Sequence, residues 1–146
     1  MKHRSSKKHF NRDTNARKGL RIALCRALLE RGEIITTKPK SREVKRWMDK
    51  LMTKAQKSDL AARRQLQKFF GKRSIANTMV DGLAGLFGER KSGFTRINFN
   101  GFRKGDNAPM YKVAFVNGVT GTSFKKEEVK KKEVKNEGKG TKELNK

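Results

Sequence analysis

The sequence predicts one α+β domain of two layers, in which helices cover one face of a small mixed sheet. Four segments repeat apolar residues at helical spacing, and three short segments are rich in β-branched or aromatic residues. They follow one another as helix, strand, helix, helix, helix, strand, strand, and 146 residues suffice for one such domain. We expect a basic N-terminal arm over residues 1–12, a globular domain over 13–117 and a disordered charged tail over 118–146.

The first helix is expected to begin at Asp13 or Thr14, which are both good N-cap residues, and to end at Gly32. Its apolar side chains recur at spacings of three, one, three and one, at Leu20, Ala23, Leu24, Ala27 and Leu28. The segment Glu33–Thr37 is rich in β-branched residues and is followed closely by Pro39. It therefore predicts a short strand.

Three further helices are predicted after this strand. The first of them carries an apolar stripe of Val44, Trp47, Met48, Leu51, Met52 and Ala55. The next is expected to run from a cap at Ser58 or Asp59 to Phe70, before Gly71. The last is expected to run from a cap at Ser74 to Gly88, with apolar side chains at Ile75, Met79, Val80, Leu83 and either Leu86 or Phe87.

Two alternating segments near residue 100 predict an antiparallel hairpin. In the first, Ile97 and Phe99 alternate with polar residues, so one face of the strand should be buried. In the second, Tyr111, Val113 and Phe115 alternate in the same way. A polar connection containing glycine, residues 103–109, joins the two segments.

The charge of the chain indicates its partner class. There are 38 Lys and Arg against 14 Asp and Glu, which gives a formal net charge of +24. Polyphosphate is the commonest cellular partner able to offset such a charge, so nucleic acid leads and an anionic membrane follows. The longest runs of large apolar residues are about four residues long, as at 113–116, whereas crossing a bilayer takes ~20. No membrane partner is expected.

The N-terminus and the cysteine content indicate the compartment. Residues 1–12 are basic but have no apolar region after them, so we expect no signal peptide. The single cysteine, Cys25, cannot form an intramolecular disulfide, which is typical of a reducing compartment and predicts a cytoplasmic protein. Because Cys25 lies beside the apolar stripe of the first helix, a small buried side chain is its expected role.

Catalysis is not expected. The only histidines, His3 and His9, both lie in the arm, where nothing rigid holds a base against a nucleophile. One Cys and two His do not make a closed zinc set, and the glycines match neither a dinucleotide nor a P-loop fingerprint. We therefore expect no metal, no cofactor and no small-molecule substrate.

Three basic clusters are candidate phosphate-binding sites. The arm carries cations without interspersed acids, the start of the second helix adds its positive dipole end, and the hairpin adds arginines. The expected RNA-binding residues are Lys2, His3, Arg4, Lys7, Lys8, His9, Arg12, Arg17, Lys18, Lys38, Lys40, Arg42, Arg46, Arg96, Arg103 and Lys104, with Lys45 also in the helix cluster. The alternative to phosphate binding is a charged surface that only faces solvent. This is our interpretation of the C-terminal tail, where Glu residues are interspersed with Lys.

Aromatic side chains divide into two expected groups. Phe10, Phe94 and Phe102 lie among basic residues and are candidates for rings that stack on unpaired bases, although core burial is the commoner fate of such rings. We expect core packing for Trp47, Phe69, Phe70, Phe99 and Phe115.

Several motifs carry a resemblance to a known family. The strongest is the run Gly93, Phe94, Thr95, Arg96, Ile97, then Gly101, Phe102, Arg103, then Gly105, Asp106, Asn107, Ala108, Pro109, Met110. Earlier matches are Lys2, His3, Arg4, Asn11 and Arg12, and Ile35, Thr36 and Thr37 with Lys40 and Glu43. Over about residues 1–116 the chain resembles the bacterial large-subunit ribosomal protein numbered seventeen. The resemblance implies a two-layer fold, binding to large-subunit ribosomal RNA, and neighbouring ribosomal proteins near the nascent-chain exit region.

The leading hypothesis is a structural constituent of the large ribosomal subunit that binds and stabilises folded 23S-type ribosomal RNA through contacts from Lys and Arg to phosphate. The alternative is a basic DNA-binding architectural protein, because composition alone indicates nucleic acid without choosing between RNA and DNA. A small RNA-processing enzyme is a third hypothesis, disfavoured because the chain offers no catalytic set.

Overall fold

The structure, a computed structural model, describes residues 8–88 and 90–117. Its elements follow one another in the predicted order. The helices and strands are α1 (Thr14–Arg31), β1 (Glu33–Thr37), α2 (Lys38–Gln56), α3 (Leu60–Phe70), α4 (α-helical Arg73–Asn77, π-helical Thr78–Leu83 and α-helical Ala84–Leu86), β2 (Thr95–Phe102) and β3 (Pro109–Phe115). The α+β class is confirmed. None of the helices in the described part is long and apolar enough to cross a membrane.

The ends of α1 and α3 follow the local rules that predicted them. The Asp13 carboxylate accepts a hydrogen bond from the Ala16 N–H at 3.0 Å, which satisfies one of the free donors of the first turn. Gly32 ends α1 in the left-handed conformation, at φ 78°, and its N–H donates to the Leu28 carbonyl. Gly71 ends α3 in the same way, at φ 71°.

The start predicted for α4 is wrong. Its N-cap is Lys72 rather than Ser74, because Gly71 closes α3 and only Lys72 stays extended before the chain turns helical again. The π-helical segment then turns the chain less per residue than an α-helix does. Of the two candidates at its end, Phe87 is buried and Leu86 is exposed.

The sheet is antiparallel throughout, so the prediction of a mixed sheet is wrong. Its strand order is β1-β3-β2, and β3 pairs antiparallel with both neighbours. The three helices that follow β1 return the chain so that β2 runs in the same direction as β1. The hairpin then inserts β3 between them, so the three described strands form no parallel pair.

The core lies between the helices and one face of the sheet. From α2 it takes Val44, Met48, Leu51, Met52 and Ala55, as predicted, whereas Trp47 is half-buried at the margin with Phe69. Cys25 is fully buried among these residues, and burial raises the pKa of its thiol to about 12, with Glu43 adding to the shift. Its expected role as a small core side chain is confirmed.

The structure decides two of the aromatic assignments. Phe94 was a candidate for base stacking with core burial as the commoner fate, and its ring is fully buried against Phe87, with ring centres 5.4 Å apart. Phe99 was expected in the core, but it is 56% exposed. Phe70 and Phe115 are buried as predicted. The prediction for Phe99 is therefore wrong, and both outcomes depend on where along the hairpin the helical layer stops covering the sheet.

Candidate nucleic-acid interface

The last residues of the arm fold back onto α1 and α2. The Arg12 N–H donates to the His9 carbonyl at 3.1 Å, and the turn between them has positive φ at Phe10 and Asn11. The half-buried Phe10 lines a small gap whose other walls are Leu20, Arg21, Leu24, Cys25, Lys40, Glu43, Val44 and Trp47. The earlier arm residues of the predicted set, Lys2, His3, Arg4 and Lys7, lie outside the described residues.

Arg17 joins this turn to α1. Its guanidinium donates to His9 Nδ1 at 2.5 Å and to Thr14 Oγ1 at 3.2 Å. Because a guanidinium only donates, the His9 ring must present its unprotonated nitrogen here. Arg17 therefore holds the arm, while Lys8 and Arg12 remain exposed beside it.

The first half of α2 presents a second set of cations. Its N-cap residue, Thr37, makes no side-chain capping hydrogen bond, and the first turn carries no acidic residue. The positive end of the helix dipole therefore adds to the charge of Lys38 and Lys40. Lys38, Arg42 and Arg46 are exposed and recur every four residues, so these three side chains can face one anionic partner. Lys40 is half-buried and lines the gap beside Phe10 instead.

Lys38 connects α2 to the end of the hairpin. Its Nζ lies 5.7 Å from the centre of the Tyr111 ring, a distance typical of a cation–π contact. The Phe99 ring is 5.7 Å from Tyr111 and 5.3 Å from Phe102, in edge-to-face arrangements. We call the surface formed by Lys38, Phe99, Phe102, Arg103 and Tyr111 the hairpin patch.

A β-bulge places the two phenylalanines on the same face. Phe99 pairs with Tyr111 and Phe102 pairs with Pro109, so three steps along β2 match two steps along β3. In a regular strand, side chains three residues apart point to opposite faces. Gly101 has φ 116°, which a residue with a Cβ rarely adopts, and it allows the extra residue to be accommodated.

The arginine of the hairpin patch is held by a carboxylate. Arg103 donates to both oxygens of Asp106, from Nε at 3.0 Å and from Nη2 at 2.5 Å. This hydrogen bonding, helped by the Ala108 N–H, lowers the pKa of Asp106 to about 2. The pair orients Arg103 and offsets part of its charge, while the neighbouring Lys104 is exposed at the tip.

Two predicted RNA-binding residues lie apart from these groups. Arg96 sits opposite Ala114 near the other end of β2, on the face of the sheet away from the helices. Arg103 follows the end of β2, seven positions further along the chain, which corresponds to at most roughly 23 Å of extended strand. Lys18 lines a groove between α1, α2 and α3. Sequence reasoning missed Phe99 and Tyr111 as surface aromatics; the glycine within β2 was the available signal of a bulge.

A family model described as Ribosomal protein L17 matches residues 20–116, which contain α2 and the whole hairpin patch. The chain belongs to the ribosomal protein L17 family. This membership confirms the resemblance found in the sequence motifs. The family consists of structural ribosomal proteins, so the prediction that the protein is not an enzyme is also confirmed.

Curated relatives agree with the family assignment. The large ribosomal subunit protein bL17 of Heliobacterium modesticaldum is 39% identical over 107 residues, which cover 73% of this chain and 96% of the relative. The bL17 protein of Coprothermobacter proteolyticus is 40% identical over 109 residues, which cover 75% and 93%. That of Maricaulis maris is 35% identical over 116 residues, which cover 80% and 83%. The chain thus spans most of the length of these bL17 proteins.

Proposed function

We propose that the chain is a structural constituent of the large ribosomal subunit that binds and stabilises folded 23S-type ribosomal RNA. The observation that carries this proposal is the hairpin patch, where Phe99 and Phe102 are 56% and 61% exposed beside cations. Exposed aromatic rings next to Lys and Arg suit unpaired RNA bases, which stack on the rings while the cations contact phosphate. The names of the bL17 relatives support the choice of the large subunit.

The two parts of the surface have different tasks in this proposal. The cations of α2 and of the arm contact phosphates, which supplies affinity and fixes the orientation of the protein. The hairpin patch selects unpaired, splayed bases, because such bases offer free ring faces. Neighbouring large-subunit proteins near the nascent-chain exit region, and a cytoplasmic location within the ribosome, belong to the same proposal and follow from the resemblance.

The salt dependence of RNA binding tests the arm. Deleting residues 2–8 removes four Lys or Arg and no acid, while it leaves Phe10 and the contact between His9 and Arg17 intact. Each lost phosphate contact should lower the slope of log affinity against log salt by roughly 0.7 to 0.9. We therefore expect weaker binding of 23S-type ribosomal RNA, a flatter salt dependence and an unchanged melting temperature.

The chain offers a control of equal charge. Residues 118–146 contain nine Lys and five Glu, so deleting them removes a net charge of +4, the same as the arm deletion. We expect this second deletion to change the salt slope little, because its lysines are accompanied by acids. If both deletions flatten the slope equally, the arm acts only through net charge. If the intact chain binds duplex DNA as tightly as it binds the ribosomal RNA, the DNA-architectural alternative is favoured instead.

A further inference from the structure

A second basic surface is concave, and Lys18 is the one residue of its lining that belongs to the RNA-binding residues expected from the sequence. It is an open groove of about 920 Å³ between α1, α2 and α3, at the upper end of the ~300–1,000 Å³ typical of ligand sites. We call it the lysine groove. Its lining residues are Lys18, Arg21, Ile22, Trp47, Lys50, Leu51, Thr53, Lys54, Lys57, Gln65, Lys68 and Phe69.

The charge of the groove is unbalanced. Five exposed lysines line it together with Arg21, and no carboxylate is among the described lining residues. Arg21 pairs with Glu43 at 3.3 Å, but the five lysines form no salt bridge with any acidic residue in the described part of the chain. Five like charges around one concavity repel one another and attract an anionic ligand.

The wall of the groove contains a fixed aromatic pair. The rings of Trp47 and Phe69 are stacked, with centres 5.7 Å apart and planes 19° apart. Trp47 Nε1 donates to Glu43 Oε1 at 2.9 Å, which fixes the indole, and Lys50 Nζ lies 5.6 Å from the ring centre. Any anion held by Lys50 therefore lies close to the indole.

The spacing of the lysines suits a polynucleotide strand. Lys50 and Lys54 lie four residues apart on α2, and Lys57 follows three residues later as the C-cap of that helix, so the three lysines lie on one side of it. The outer two are separated by roughly 10 Å along the axis. A single strand stacked with the ~3.4 Å rise of a duplex strand would present about three phosphates over that length.

We propose that the lysine groove is a second RNA-binding site, which takes the sugar-phosphate backbone of a single strand along α2. The ligand class rests on the proposed function, but the site is separate from the hairpin patch. Lys38 and Lys54 lie sixteen residues apart on α2, which corresponds to roughly 24 Å. The protein thus contacts two segments of the folded RNA and holds them at a fixed separation.

Trp47 provides the measurement, because it is the only tryptophan in the chain. Titrating the full chain with a twelve-nucleotide oligouridylate at low salt should change the tryptophan fluorescence. The variant Lys54→Gln/Lys68→Gln removes one lysine from each of two facing helices. We expect it to weaken this binding several-fold and to lower the salt slope by roughly 1.4, which is two contacts at ~0.7 each for a single strand.

Lys72→Gln/Lys91→Gln is the matched control, because both lysines are exposed, neither lines the groove and the charge change is the same. Circular dichroism would establish that both variants are folded. The proposal is overturned if the control weakens binding as much as the groove variant, or if the oligonucleotide binds without changing the fluorescence. It is also overturned if an oligoglutamate peptide competes equally at equal charge, since the groove would then accept acidic protein.

Binding of 23S-type ribosomal RNA separates this proposal from the proposed function. If Phe102→Ala weakens that binding and the groove variant does not, the groove proposal fails and the proposed function stands. If the groove variant also weakens it, two RNA segments are bound and both proposals gain support. If the intact chain does not bind the ribosomal RNA at all, the proposed function fails, whatever the groove does with the oligonucleotide.

Discussion

The two ends of the β2–β3 hairpin contain the same kinds of residue and differ in what covers them. At one end Phe94 and Phe115 pack with Phe87 of the helical layer, and all three rings are buried. At the other end Phe99 and Phe102 form a similar edge-to-face contact and are more than half exposed. Residue type therefore does not distinguish core from surface in this hairpin.

The difference lies in the length of the strands relative to the helices above them. Lys38, the first residue of α2, already lies over Tyr111, so the strands continue past the start of that helix. Beyond this point no helix in the described part of the chain covers the rings of Phe99 and Phe102, which are more than half exposed. An overhanging hairpin end with exposed rings is typical of a surface that a partner covers, and this is why we propose RNA as its partner.

The largest expected effect concerns the covered end. Phe94→Ala truncates a fully buried ring, and we expect it to lower the free energy of unfolding by about 3 to 5 kcal/mol. Phe99→Ala removes an exposed ring that has two edge contacts, and we expect a cost of about 1 kcal/mol or less. Urea denaturation of both variants measures the contrast. Equal costs would show that the two ends do not differ in packing as described.

Much of the fold could be predicted because it follows from local rules. Asp13 begins α1 through its capping hydrogen bond, and Gly32 and Gly71 end α1 and α3 through their left-handed backbone conformation. The apolar stripe of α2 follows from the helical period. The errors concern facts that no local window contains. The insertion of β3 between β1 and β2 depends on how three helices return the chain, and the extent of the helical cover decides the fates of Phe94 and Phe99.

The candidate site shows the same limit. Alternation correctly indicates which strand residues share a face only until the bulge, after which Phe102 changes sides relative to a regular strand. The lysine groove combines residues from three helices, and each of these lysines looks like an ordinary solvated cation within its own helix. Only the packing of α1, α2 and α3 makes them one surface.

A smaller effect is expected from the exposed end, and it should appear in binding rather than in stability. Phe102→Ala removes one stacking platform, which typically contributes about 1 to 3 kcal/mol per base, so affinity for 23S-type ribosomal RNA should fall about five- to 150-fold. The salt slope should stay unchanged, because no phosphate contact is lost. Leu86→Ala is the control, since Leu86 is exposed but lies on α4. If the Phe102→Ala variant lowered the salt slope, the ring would position Arg103 instead of stacking on a base.

The smallest effect concerns the carboxylates that hold the two ends. Asp49 Oδ1 accepts the Phe94 N–H at 3.2 Å, and burial raises the pKa of Asp49, although that hydrogen bond and Lys45 oppose the shift. A raised pKa means that the folded state keeps the proton more tightly than the unfolded state, so ionisation costs stability as the pH rises above the ordinary value of 3.8. Asp49→Asn avoids this cost and keeps an oxygen for the Phe94 N–H.

The unfolding free energy of Asp49→Asn minus that of the unmodified chain should therefore increase as the pH rises from about 3.8 towards neutrality, in urea titrations at a series of pH values. Asp106→Asn should behave in the opposite way. The pKa of Asp106 is lowered to about 2 by Arg103, so its ionised form stabilises the fold above 3.8, and that contribution disappears as the pH falls towards 2. The change in unfolding free energy caused by Asp49→Asn and that caused by Asp106→Asn should therefore depend on pH in opposite directions. If both changes had the same sign over the same pH range, the covered and exposed ends would not impose different environments on their carboxylates. The contrast between the two ends would then be one of aromatic packing alone.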